Sequence, residues 1–252
     1  MIIPLPAFKD NYIWALRAGP HVVVVDPGDA QPVRDYLSDH DLLLSAILIT
    51  HHHRDHVGGL LELKAEHAVP VYGPKHEPIE GITVPLVEGD EVHLPAFGLH
   101  FRVLDIPGHT RAHIAYYGNG LLFCGDTLFA CGCGRLFEGT AQQMHTSLSK
   151  LAALPGDTRV FCAHEYTMAN IEFALAVEPE NTALQARAKR DAAKRAAGAP
   201  TVPSTMEEER ATNPFLRVTE PAVIEAVQAA RGLKNRTPVE VFAAVRQWKN
   251  EF

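Results

Sequence analysis

A chain of 252 residues, 46% hydrophobic and 21% charged, can bury a sizeable core in one large domain or in one domain with a smaller companion. Its net charge of −7 argues against a nucleic acid or an anionic membrane surface as the default partner. Four cysteines without a regular framework suit reduced thiols, the first residues lack the pattern of a secretory signal, and no segment reaches the length of a membrane span, so a cytoplasmic protein is expected.

In chain order, Val22 to Val25 read as a buried strand ending in the turn Asp26-Pro27-Gly28. Leu42 to Thr50 ends in a second apolar strand. His51-His52-His53-Arg54-Asp55-His56 follows, then Gly58-Gly59 and a helical run from Leu60 to Glu66. Packing gives no reason for four histidines and an aspartate in six positions. Neutral imidazoles and carboxylates are ligands for a borderline-soft divalent metal, and the junction of a strand and a helix is a usual place for a site. Three further strands, Phe101 to Ile106, Gly120 to Gly125 and Arg159 to Ala163, lead into His109, Asp126 and His164. From about residue 166 the composition shifts to Ala, Glu, Lys and Arg, which predicts helices, one of them Thr182 to Ala197. The last helix is expected to start at Thr237, with Pro238 in its first position and Glu240 completing a capping box. Val241, Val245, Trp248 and Phe252 should share one face. No internal repeat of solenoid length is present.

The candidate ligands are His51, His53, Asp55, His56, His109, Asp126 and His164. One metal needs only about three or four of them. The full set fits two metals with one carboxylate bridging, a pair that holds a hydroxide at neutral pH and polarises a carbonyl oxygen. His52 should point elsewhere, and His113 suits packing. His21, His40, His67, His76, His93, His100 and His145 read as ordinary. Asp26 is either a turn residue or an acceptor for a ligating histidine. Cys131 and Cys133 read as structural.

The run Thr50-His51-His52-His53-Arg54-Asp55-His56 resembles the His-x-His-x-Asp-His signature of the metallo-β-lactamase superfamily, with His109, Asp126 and His164 in the order of its later ligands. The resemblance implies an α/β (α+β) fold, an αββα sandwich over residues 1–165 with a helical domain over 166–252. It also implies one metal on His51, His53 and His109 and a second on Asp55, His56 and His164, with Asp126 bridging. Cys131 to Thr140, the segment Ala163-His164-Glu165-Tyr166-Thr167 with Asn170 and Phe173, and Arg246 with Lys249 near the end are similar to glyoxalase II, the hydroxyacylglutathione hydrolases.

That family would make the chain a metal-dependent thioesterase. It would cleave S-D-lactoylglutathione to glutathione and D-lactate, the second step of methylglyoxal degradation, with a metal-bound hydroxide as nucleophile and Asp55 orienting it. Zinc is the first expectation, with iron or manganese open. Arg135, Phe137, Tyr166, Arg246 and Lys249 would bind glutathione, a net anion that an acidic protein must meet with local cations. Phe137 departs from the Tyr of many members, at a cost of about 1 kcal/mol in binding. The chain would act as a monomer on a small molecule, without nucleic acid or membrane. The alternatives are another hydrolase of the superfamily, a glutathione persulfide dioxygenase or a metal-binding protein without activity.

Overall fold

A computed structural model describes residues 1–252. Packing divides the chain into two compact units. The first is residues 1–105 with 110–125, and the second is 106–109 with 126–252. A cut at residue 165 therefore divides the chain along the sequence, whereas the packing units interleave along it.

The first unit holds two sheets. One contains β1 (Ile2–Ala7), β2 (Asn11–Ala18), β3 (His21–Val25), β4 (Leu43–Leu48), β5 (Val71–Pro74) and β6 (Val84–Leu86), in that order. β1 to β3 form an antiparallel meander, and β3 to β6 run parallel. The crossovers carry α1 (Gln31–Asp39) and the short α2 (Arg54–Val57) and α3 (Leu60–Glu66). Val22 to Val25 are all buried because a parallel strand is covered on both faces. Val22 and Val24 pack with Val33 and Leu37 of α1 and Leu60 and Leu63 of α3.

The other strands of this unit are β7 (Glu91–Leu94), β8 (Leu99–Asp105), β9 (Ile114–Gly118) and β10 (Leu121–Gly125), all antiparallel in sequence order. β8 alternates, with Phe101 and Val103 buried and His100 and Arg102 exposed, as expected for a strand with one wet face. Tyr116 of β9 is buried and donates its hydroxyl to Ile49 O at 2.8 Å, just beyond β4.

The second unit opens with the two-stranded ribbon β11 (Leu128–Phe129) and β12 (Gly132–Cys133). Then come α4 (Ala141–Ala152), β13 (Arg159–Cys162), α5 (Thr167–Val177), α6 (Thr182–Ala196), β14 (Ser204–Thr205), α7 (Met206–Thr212), α8 (Pro221–Arg231) and α9 (Pro238–Glu251). α4 has a complete capping box between Thr140 and Gln143. The box expected on α9 is only half made. Thr237 accepts from Glu240 N, but the Glu240 carboxylate accepts from Lys234 N and Asn235 N of the preceding loop. Val241 and Val245 are buried, Phe242 joins them, and Trp248 and the 56% exposed Phe252 both meet the Phe173 ring, so the expected face is shared. No helix is long and apolar enough to cross a membrane.

Candidate active site

In the first unit the site is built where β3 and β4 end. Asp26 follows β3 with φ +52°, an unusual conformation for a residue with a Cβ. Its carboxylate accepts from Thr50 N at 2.8 Å, Thr50 Oγ1 at 2.7 Å and His56 Nδ1 at 3.0 Å. The Thr50 hydroxyl proton is thus committed to Asp26, so its oxygen accepts from His51 Nδ1 at 3.1 Å. Both rings therefore carry their proton on Nδ1 and present the Nε2 lone pair. Asp26 is the acceptor behind two candidate ligands, which resolves the choice the sequence left open.

His53 Nδ1 lies 3.1 Å from His51 Nε2, and Asp55 Oδ2 lies 3.5 Å from His56 Nε2. Asn11 donates to Asp55 Oδ2 at 3.0 Å. Glycines make the approach of the two loops possible: a Cβ on Gly28 would sit 1.8 Å from Asp55 O, and one on Gly58 2.5 Å from Gly28 O. His113 stacks on His51 at 4.5 Å, and its Nδ1 donates to Ile114 O, the packing role expected for it. His52 meets the His53 ring edge-on at 5.0 Å and directs its Nδ1 elsewhere. Its partner is Glu77, whose side chain is only 2% exposed. The Glu77 carboxylate accepts from His52 N at 2.6 Å, His52 Nδ1 at 2.5 Å, Thr110 Oγ1 and Ala112 N. It ties the histidine run to the segment that follows His109.

The second unit holds the later candidates. Asp126 directs one oxygen to His109 Nε2 at 3.4 Å and the other to His164 Nε2 at 3.3 Å. His109 Nδ1 donates to Arg135 O at 2.9 Å, which again leaves Nε2 as the lone-pair nitrogen. The His164 ring stacks on Tyr166 at 4.6 Å with only 5° between the planes.

The donor set fits divalent metal. Ligands about 2.0–2.1 Å from a tetrahedral ion stand roughly 3.3 Å from one another. Within each unit the paired donor atoms stand 3.1, 3.3, 3.4 and 3.5 Å apart, longer than the charge-assisted hydrogen bonds these groups otherwise form.

A cavity of about 450 Å³ in the second unit is lined by His109, Asp126, Arg135, Phe137, Tyr166, Arg246 and Lys249, among others. All five residues expected to bind substrate line it. Arg246 is buried, donates to Cys133 O at 2.8 Å and lies over Phe215. Lys249 donates to Ala169 O at 2.8 Å, and burial, then the charge of Arg246, holds its pKa below the usual lysine value. Phe137 is 62% exposed and meets the His109 ring edge-on. Cys131 and Cys133 are buried free thiols, pushed by that burial to about 12 and about 11, so they are poor thiolates, in keeping with a structural role.

Sequence reasoning missed what holds the cavity wall. Arg187 of α6 is buried and donates to Glu209 Oε1 and Thr212 Oγ1, each at 2.7 Å. The second oxygen of Glu209 accepts from Cys131 N and from Asn213 Nδ2, which also donates to Phe129 O and Gly132 O. This network fixes the turn between β11 and β12 from behind. Glu77 and Asn11 were missed as well, because nothing local in the sequence marks either one.

The Metallo-beta-lactamase superfamily profile matches residues 8–164, and the profile described as Hydroxyacylglutathione hydrolase C-terminus matches 165–252. Curated relatives named Hydroxyacylglutathione hydrolase include one from Alkalilimnicola ehrlichii, 56% identical over 99% of this chain and 98% of its own length. Another, from Nitrosomonas eutropha, is 53% identical over 100% and 98%. Among solved structures, ETHE1 from Myxococcus xanthus matches 99% of this chain and 98% of its own with a TM-score of 0.67 at 24% identity, a likeness of fold alone. TTHA1623, solved in a di-iron-bound form, matches 86% of this chain and 100% of its own with a TM-score of 0.59 at 27% identity. With the metallo-β-lactamase fold, a histidine and aspartate donor set and full-length relatives of this identity, the chain belongs to the hydroxyacylglutathione hydrolase family of the metallo-β-lactamase superfamily.

Proposed function

We propose that the chain hydrolyses S-2-hydroxyacylglutathione thioesters such as S-D-lactoylglutathione to glutathione and the free 2-hydroxy acid, D-lactate in that case. The observation that carries the reading is the cavity in which His109 and Asp126 share a wall with Arg135, Arg246 and Lys249. A metal-ligating donor pair and three cations in one cavity suit a reacting carbonyl at one end and the carboxylates of a glutathione moiety at the other. Two divalent ions, zinc foremost, would be held by His51, His53 and His109 and by Asp55, His56 and His164, with Asp126 shared, and would supply a water of lowered pKa and a polarised thioester carbonyl.

The chain's own residues do the rest. Arg246 and Lys249 bind the carboxylate end, and Arg135 binds the peptide part. Phe137 and Tyr166 cover the substrate with their rings. Asp55, held by Asn11, orients the attacking water by accepting its hydrogen bond. The glutathione thiol has a parent pKa near about 8.5, so it leaves as a thiolate with little need of a proton donor. The reading extends to a cytoplasmic monomer acting on a small molecule, which suits four buried cysteines outside any disulfide.

Loss of thioester absorbance from S-D-lactoylglutathione, followed with metal-replete protein, tests it. Saturable turnover is expected, with KM raised in the Arg246→Ala/Lys249→Ala double variant. No turnover by protein shown to hold two ions per chain would sink the reading.

A further inference from the structure

We propose a second metal site, on the exposed hairpin β7–β8, formed by Glu91, His93 and His100 and suited to a divalent late transition ion such as Zn²⁺. Nothing in the linear sequence marks it. His93 and His100 are far enough apart in sequence for a turn to lie between them, but the hairpin register sets them directly opposite each other. Glu91 stands two residues before His93 on the same face, by the strand's period of two. Val92, Leu94 and Phe101 occupy the buried face, so the register that buries these three also puts the three donors together on the wet side.

The three donor atoms lie within 4.8 Å of one another. The two imidazoles stack, 6° from parallel with centroids 4.4 Å apart, so a turn of the exposed rings about their side-chain bonds is what brings both Nε2 lone pairs onto one ion. His93 Nε2 and His100 Nε2 stand 3.3 and 3.2 Å from one and the same oxygen, Glu91 Oε2. Those separations match the roughly 3.3 Å between two ligands of a tetrahedral ion, and they exceed an ordinary charge-assisted hydrogen bond. Glu91 turns to the rings although Arg102 is its register partner across the hairpin. Two imidazoles and one carboxylate leave the remaining positions of the ion to water, and the exposure of all three side chains gives the ion a direct path in. Imidazole and carboxylate together select zinc, nickel or copper over magnesium or calcium. The candidate active site takes none of these residues.

The test compares zinc-replete wild-type enzyme with His93→Ala/His100→Ala at matched free Zn²⁺ in equilibrium dialysis. The wild type should hold one equivalent more. Glu91→Gln, which keeps both imidazoles, should need a higher free Zn²⁺ for the same uptake. Histidine carbethoxylation read by peptide mass spectrometry should show Zn²⁺ protecting His93 and His100. Thioester hydrolysis, which none of the three residues serves, should be unchanged and reports that the variants are folded. Equal zinc uptake by wild type and double variant, or modification of His93 and His100 indifferent to Zn²⁺, overturns the proposal.

Discussion

Replacing Glu77 with glutamine probes the joint between the histidine run and the segment after His109. The carboxylate accepts two N–H groups from His52 on one oxygen, and the Thr110 hydroxyl with Ala112 N–H on the other. Glutamine keeps one oxygen and puts an NH2 in place of the other. With its carbonyl toward His52 it retains those two bonds at neutral strength. The NH2 then meets Thr110, whose hydroxyl can rotate to accept, and Ala112 N–H, which cannot. A buried N–H left opposed costs about 1–3 kcal/mol, and two bonds lose charge assistance worth up to about 1 kcal/mol each. After partial relaxation the expected loss is about 2–4 kcal/mol. At a slope near 3 kcal/mol per molar urea, the unfolding midpoint should fall by about 1 M. Glu80→Gln removes an equal charge from an exposed neighbour and should leave the midpoint in place. Because His51 and His53 flank His52, metal affinity should also fall, by roughly 10–100-fold. A Glu77→Gln midpoint within about 0.2 M of wild type, with metal retention intact, would refute the clamp.

Phe137→Tyr restores a hydroxyl beside the cavity and should lower KM for the thioester about fivefold, from about 1 kcal/mol of added hydrogen bonding, with kcat unchanged. Glu209→Ala leaves the Arg187 guanidinium buried without its main partner and should cost about 3–5 kcal/mol by urea titration. Lys249 has a folded pKa below its ordinary 10.5, so its ammonium destabilises the fold at neutral pH. That penalty fades as pH rises through the lowered value, so Lys249→Met should be more stable than wild type at pH 7 by thermal melts, less so near pH 10, while its KM rises. Cys131, Cys133 and Cys162, raised to about 12, 11 and 12, are at most about one part in a thousand thiolate at pH 8, so iodoacetamide should label them only after unfolding.

The parts of the site visible in the sequence are those made by neighbours in the chain. The histidine run lies in the loop its flanking apolar and glycine-rich segments predicted, and the four-valine strand is buried on both faces. α6 spans 182–196, close to the composition-based expectation. The sequence was silent where a partner comes from far away. Glu77 is 25 residues from His52 and 33 from Thr110, and Glu209 is 78 from Cys131. A lone glutamate looks the same on a solvated loop as in a buried clamp, and only the fold distinguishes them. The half-made cap on α9 has the same cause. Two amides of the preceding loop present themselves to Glu240, and local spacing cannot reveal that competition.

The acceptors behind the candidate ligands differ in kind, and the difference bears on function. His56 is backed directly by the Asp26 carboxylate and His51 through the Thr50 hydroxyl, whereas His109 is backed by a neutral carbonyl, Arg135 O. A carboxylate raises the basicity of the imidazole it faces more than a carbonyl does, so His109 should be a weaker donor than His56. Its orientation also depends on the loop whose Arg135 side chain lines the cavity. On the proposed reading one residue therefore serves both jobs, through its main chain for the candidate ligand and its side chain for the substrate. Arg135→Ala deletes the second and keeps the first, so it should raise KM with metal content unchanged. Glu209→Ala loosens the loop from behind, through Cys131 N, and should disturb both KM and metal retention. Metal loss in Arg135→Ala would show that the guanidinium, and not the carbonyl, sets the ligand.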